Sequence, residues 1–166
     1  MSEWRIQHVT DETPDLIEAV RELFREYHTW LGEVVCSVRL AEEIESLPGP
    51  YSPPEGRLLL AITPAEEPAG VVGVRPFDGT QCEIKRLYVR PGFRGSGLGR
   101  RLAEEAIASA AQLGYAEALL TTLPGTMAPA LALYRRLGFA ETDPFMDLSH
   151  VEEGAEMLYM RRPLGG

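Results

Sequence analysis

The sequence predicts an α/β fold, one mixed sheet packed with helices in the order β-α-α-β-β-β-α-β-α-β-β. Apolar residues recur at helical spacing in several segments, and short apolar or alternating runs bounded by glycine, proline and aspartate lie between them. With 166 residues, 45% hydrophobic and 25% charged, the chain is long and apolar enough to bury one core, so a single domain over residues 1–166 is expected.

Residues 4–9 read as an opening strand. Thr13 then stands as N-cap ahead of Pro14 at the first helical position, and Leu16, Ile17, Val20, Leu23, Phe24 and Tyr27 mark one helical face. A second helix is expected over 38–47, ending at Pro48. Four prolines and two glycines in residues 48–56 allow only a stiff loop. Residues 57–63, 70–76 and 81–89 read as three strands of an antiparallel meander, the last entered through the Asp78-Gly79 turn. Leu98, Leu102, Ala106, Ala110 and Leu113 give a third helix, closed by Gly114. A strand over 115–121, a helix over 128–137 closed by Gly138, and strands from 139 and over 157–162 complete the order.

Several function classes are excluded at this point. Cys36 and Cys82 lack disulfide-scaffold or zinc spacing and read as reduced thiols, and no metal is expected. There is no leader pattern and no apolar run of membrane-spanning length, so a cytoplasmic protein without membrane contacts is expected. A net charge of −9 argues against nucleic acid as a partner. Yet Lys85, Arg86, Arg90, Arg94, Arg100 and Arg101 fall in one stretch that contains no acid. That stretch is suited to an anion.

Within it a strand runs through Arg-Pro-Gly into a turn where Gly95, Gly97 and Gly99 alternate with Ser96 and Leu98. Consecutive amides at the start of a helix form a phosphate cradle. Arg100 and Arg101 in the first helical turn favour an anion there as well. No Lys-Ser or Lys-Thr follows, as a Walker loop requires, and the glycines run GxGxG rather than GxGxxG, so neither nucleotide motif applies. The other reading is a glycine-rich turn that binds nothing.

The segment Arg94-Gly-Ser-Gly97-Leu-Gly99 resembles the [Q/R]-x-x-G-x-[G/A] motif of the GNAT superfamily of acetyl-CoA-dependent N-acyltransferases. Downstream, ALALYRRLGF, from Ala130 to Phe139, is similar to that family's A-x-x-LY-x-x-x-GF segment. The element order also matches. The resemblance implies the GNAT fold, with acetyl-CoA as co-substrate and acetyl transfer to a primary amine of a small molecule or peptide. Transfer would occur by direct attack in a ternary complex. It also implies that the amides of Arg94, Gly95, Ser96, Gly97, Leu98, Gly99 and Arg100 hold the pyrophosphate. Leu87, Tyr88 and Val89 would pair with the pantetheine arm as an added strand, and the Val89 N–H would polarise the thioester carbonyl.

Tyr134 matches the family's general acid, which protonates the departing thiolate; its other reading is a core residue beside Leu133 and Leu137. Glu83 stands where the histone-acetylating branch carries its glutamate base. Strand alternation predicts Glu83, Lys85, Leu87 and Val89 on one face; the other reading pairs Glu83 with Lys85 or Arg86 on a solvated face. Many relatives place Asn where this chain has Met127, and Thr121 and Thr122 are candidates to replace that contact. The acceptor pocket is expected among Phe24, Tyr27, His28, Trp30, the 48–56 loop and residues 143–156. The acids of residues 141–156 (Glu141, Asp143, Asp147, Glu152, Glu153, Glu156) offer attraction for a cationic amine. A non-catalytic acyl-CoA-binding module of the same fold is the alternative to an enzyme. The acceptor and the oligomeric state, a homodimer included, stay open.

Overall fold

The structure, a computed structural model, describes residues 4–31, 37–122, 128–145 and 157–165. Its elements are β1 (Arg5–His8), α1 (Pro14–Leu31), α2 (Ser37–Ser46), β2 (Arg57–Ile62), β3 (Pro68–Pro76), β4 (Gln81–Val89), α3 (Leu98–Gln112), β5 (Glu117–Thr122), α4 (Ala128–Arg136), β6 (Ala140–Glu141) and β7 (Leu158–Pro163). The expected order holds throughout, with β4 at its expected bounds and no stated boundary shifted by more than two residues. Thr13 precedes α1 as expected, but its hydroxyl turns back to the Thr10 carbonyl at 2.9 Å. Its own carbonyl receives the Leu16 and Ile17 amides.

The strands form one seven-stranded sheet, ordered β1-β2-β3-β4-β5-β7-β6. Strands β2, β3 and β4 are the antiparallel meander the turns predict. Apolar side chains from successive strand residues point to opposite faces and build two cores. Val20, Leu23, Phe24 and Tyr27 of α1 pack with Leu58, Leu60, Val71 and Tyr88 on one face. Leu98, Leu102, Ala106 and Ala110 of α3 pack with Leu59, Val72, Val74 and Ile84 on the other.

Two irregularities of β4 position the site. Val71 pairs with Tyr88 but Gly73 with Lys85, so Val72 alone faces Arg86 and Leu87. This is a β-bulge, and Arg86 takes the left-handed φ of 63°. Such a backbone costs a non-glycine residue about 1–2 kcal/mol. The Arg86 guanidinium, nearly buried, is held by Glu43 of α2 at 2.8 and 3.4 Å. The second irregularity is the parallel pairing of β4 with β5, which covers only Gln81, Cys82 and Glu83 against Glu117, Ala118 and Leu119. Beyond these pairs the strands part.

Candidate active site

Between the end of β4 and α4, a cleft of about 430 Å³ opens. Its walls are Leu87, Tyr88 and Val89 of β4, the 93–99 turn, Trp30 of α1, and Pro129, Ala130 and Leu133 of α4. Arg90, immediately after β4, gives its amide to the Ala69 carbonyl at 2.9 Å. By antiparallel alternation, the polar backbone groups of Val89, one residue earlier, are directed away from β3. They face the cleft. Arg90 is itself clamped to Glu26 of α1 at 2.7 Å, and the Tyr88 hydroxyl donates to the same carboxylate at 3.3 Å, which ties the end of β4 to α1.

The turn after β4 leaves its amides free. Gly95 and Gly97 have φ of +78° and +90°, and a Cβ at either would meet only open space. The first helical bond runs from Arg101 N–H to the Gly97 carbonyl at 3.1 Å. Among the described residues, the amides of Gly95, Ser96, Gly97, Leu98, Gly99 and Arg100 therefore have no backbone acceptor. The Arg94 amide differs from expectation, because it donates to the Pro91 carbonyl at 3.3 Å. The run starts at Gly95. Leu98 turns its side chain into the α3 core, 1% exposed, and contributes only main chain. Ser96 Oγ is bonded to the Phe93 carbonyl. Arg100 reaches Glu104 at 3.7 Å, and Arg101 donates to the Trp4 carbonyl at 3.1 Å. The glycine cradle, the outward strand edge and the adjoining cleft fit a diphosphate on an extended arm.

The Arg94 side chain folds back over the cleft. Its Nε donates to the Val89 carbonyl at 2.9 Å, and its guanidinium lies 5.1 Å above the Trp30 ring and 5.6 Å above Tyr88. Trp30, half-exposed, thus belongs to the cleft, whereas Phe24 and Tyr27 belong to the core.

Tyr134 is buried against Phe139, with ring centroids 5.8 Å apart, on the helix that supplies Ala130 and Leu133 to the cleft wall. Burial, reinforced by nearby Tyr27, pushes its pKa up. The phenol keeps its proton, as a donor must. Cys82 is fully buried, and burial pushes its thiol up to about 12, so it is no nucleophile at neutral pH.

Glu83 requires a correction. Because of the bulge, Glu83 and Lys85 face the α1/α2 side with Arg86 and Tyr88, while Leu87 and Val89 turn to the α3 side. Uniform alternation cannot anticipate an extra residue in a strand. The face is also not solvated: Glu83 is 4% exposed. Its Oε2 lies 3.9 Å from Lys85 Nζ and has no hydrogen-bond partner. Arg75, its cross-strand partner, reaches Glu43 Oε1 at 3.7 Å. Burial, with the Arg86 charge second, pulls the Lys85 ammonium below its ordinary value.

Of the remaining candidates, Thr122 is buried at the end of β5, and Glu141 is paired with Arg135 at 3.1 Å on the far edge of the sheet. Cys36, Met127, Asp147, Glu152, Glu153 and Glu156 lie outside the described residues. Among those described, no group of His, Cys, Asp or Glu is arranged to hold a metal, and no helix is long and apolar enough to cross a membrane. Trp30, named from the sequence among the pocket candidates, does line the cleft; the Glu43–Arg86 pair was missed, because it joins distant elements.

The profile of the acetyltransferase (GNAT) family matches residues 17–139. An uncharacterized N-acetyltransferase of Schizosaccharomyces pombe is 37% identical over 80% of this chain and 81% of its own. Among solved structures, an acetyltransferase of the GNAT family from Staphylococcus aureus superposes with a TM-score of 0.79 at 17% identity, covering 98% of this chain and 99% of that one. A phosphinothricin acetyltransferase from Sinorhizobium meliloti in complex with AcCoA superposes at 0.72 with 20% identity, over 98% and 89%. The chain belongs to the GNAT acetyltransferase family. It is an acetyl-CoA-dependent acetyltransferase.

Proposed function

We propose that the chain, as one domain, transfers acetyl from acetyl-CoA directly to a primary amine held with it in a ternary complex. The observation that carries this reading is the run of six amides from Gly95 to Arg100, unpaired among the described residues, beside the cleft between β4 and α4. Bound acetyl-CoA supplies an activated acyl group with a thiolate leaving group. The turn binds the diphosphate through its main chain, and β4 pairs with the arm through the outward groups of Leu87 and Val89. The Val89 N–H donates to the acyl carbonyl oxygen; one such donor in a water-poor site contributes about 3 kcal/mol to the barrier reduction.

Tyr134 donates its phenolic proton to the departing sulfur and recovers one, through water, from the nitrogen that loses its second proton as the amide forms. Glu83 removes the proton from the acceptor's ammonium, directly or through water, since only the neutral amine has the lone pair that attacks. With Cys82 buried and protonated, an acyl-cysteine route through it has no support.

The test is thiol release from acetyl-CoA across amines, amino acids, aminoglycosides and lysine peptides. At least one acceptor is expected to release thiol, with no burst of acetylated enzyme before it is added. For Tyr134→Phe, kcat is expected to fall about 1,000-fold while the melting temperature holds, because the ring still packs on Phe139. Stabilisation by acetyl-CoA with no thiol released from any acceptor would sink the catalytic reading and leave a binding module.

A further inference from the structure

The α1/α2 face of β3 and β4 carries three cations, Arg75, Lys85 and Arg86, against two carboxylates, Glu43 and Glu83. Arg86 has both Glu43 oxygens within reach, and Arg75 shares that carboxylate from 3.7 Å. Among the described residues, the carboxylate within 4 Å of Lys85 is Glu83, too far for a hydrogen bond. The two buried side-chain oxygens left without a hydrogen-bond partner among the described residues, Glu83 Oε2 and Tyr51 Oη, both lie on this face. The Tyr51 ring sits over Gly73, the cross-strand partner of Lys85.

Buried polar atoms are ordinarily satisfied, and a buried surplus of charge is costly. Here an acceptor without a donor stands beside a cation without a full counter-charge. A ligand that carries both complementary groups satisfies both.

We infer that the acceptor is a small zwitterion of the amino-acid type, with its ammonium received by Glu83 and its carboxylate by Lys85 and Arg75. The inference rests on the acetyl-transfer reading above and names the substrate class for that site. It runs opposite to the expectation drawn from the acidic 141–156 stretch, which favours purely cationic amines. Lys85 and Arg75, 23% and 34% exposed, remain reachable from solvent.

The experiment compares free α-amino acids with their carboxamides and with the amines that lack the carboxyl group, using thiol release. The best amino acid is expected to exceed its own amide in kcat/KM by about 100-fold, as for a site whose polar groups are left unpaired by the analogue. Lys85→Met is expected to raise the amino-acid KM by about 30-fold, as loss of a charged hydrogen-bonding partner does, while the KM for acetyl-CoA stays within about twofold and the preference over the amide collapses. Lys85→Arg is expected to retain the preference and guards against a folding artefact. Amides or polyamines that match the amino acids overturn the inference and leave acetyl transfer intact, as does an equal loss on both substrate types in Lys85→Met. If no acceptor releases thiol, calorimetry of the same amino acids with coenzyme A present decides: binding that weakens in Lys85→Met supports the charge assignment without the reaction, and its absence overturns it.

Discussion

The glycine turn at residues 95–99 and the charged face around Glu83 are supplied by β4 and the loop that follows it, yet they are made of different material. The turn offers exposed backbone, with free amides and with glycines at φ of +78° and +90°. The charged face offers side chains, with both carboxylates buried and the cations partly exposed, whose partners come from α2, β3 and the loop before β2. A main-chain site recognises what every substrate of the family shares, because any residue with the right backbone presents the same N–H. A side-chain site distinguishes substrates, because each group is replaceable separately. On the proposed reading, one region reports the class of reaction and the other its choice of acceptor.

This contrast breaks most readily at Gly97. Gly97→Val places a β-branched residue at positive φ, strain of about 1–3 kcal/mol, and disorders the amides beside it. The KM for acetyl-CoA is expected to rise about 100-fold, that is about 2.7 kcal/mol, with the acceptor KM unchanged in steady-state kinetics. Ser96→Ala, in the same turn, is expected to change it by less than about twofold, since the contribution there is main chain. Equal losses in both variants would contradict a main-chain site.

Glu83→Gln probes the opposite region. It is expected to lower kcat/KM for the acceptor about 30-fold near neutrality, at the low end for removal of a general base, and to leave acetyl-CoA affinity as it was by calorimetry. The deficit should shrink as pH rises and the amine loses its proton unaided. A deficit constant with pH would remove Glu83 from proton transfer.

Gly73→Ala tests how tightly the charged face is packed. A Cβ there would stand 2.5 Å from the Tyr51 ring, so stability is expected to fall by about 1–3 kcal/mol in urea unfolding. Cys82 gives an effect confined to alkaline pH, and it arises on the α3 face, one residue before Glu83. The folded chain holds the thiol proton up to about pH 12, whereas the unfolded chain releases it from about 9. Stability is therefore lost as pH rises through that window, by up to about 1.4 kcal/mol per pH unit from this group. Cys82→Ala is expected to make the alkaline stability curve shallower by that slope.

Most of the fold was legible because its signals are local. Helical spacing in α1 and α3, proline crowding before β2, and glycines after α3 and α4 each act within a few residues. The glycine turn was legible for the same reason. What escaped depends on pairing between distant segments. The bulge at Arg86 is stabilised by Glu43, 43 positions away in sequence, and no pattern within β4 encodes it. Without the bulge, alternation assigns Leu87 and Val89 to the wrong side.

The brief parallel pairing of β4 with β5 has an evolutionary consequence. The sheet amounts to two ribbons sewn together along a three-pair seam. Extending the stitching past Glu83 and Leu119 would add ladder hydrogen bonds, and in the same act would close the gap beside the proposed site of transfer. Selection for a sturdier fold and selection for turnover thus pull in opposite directions at this one join.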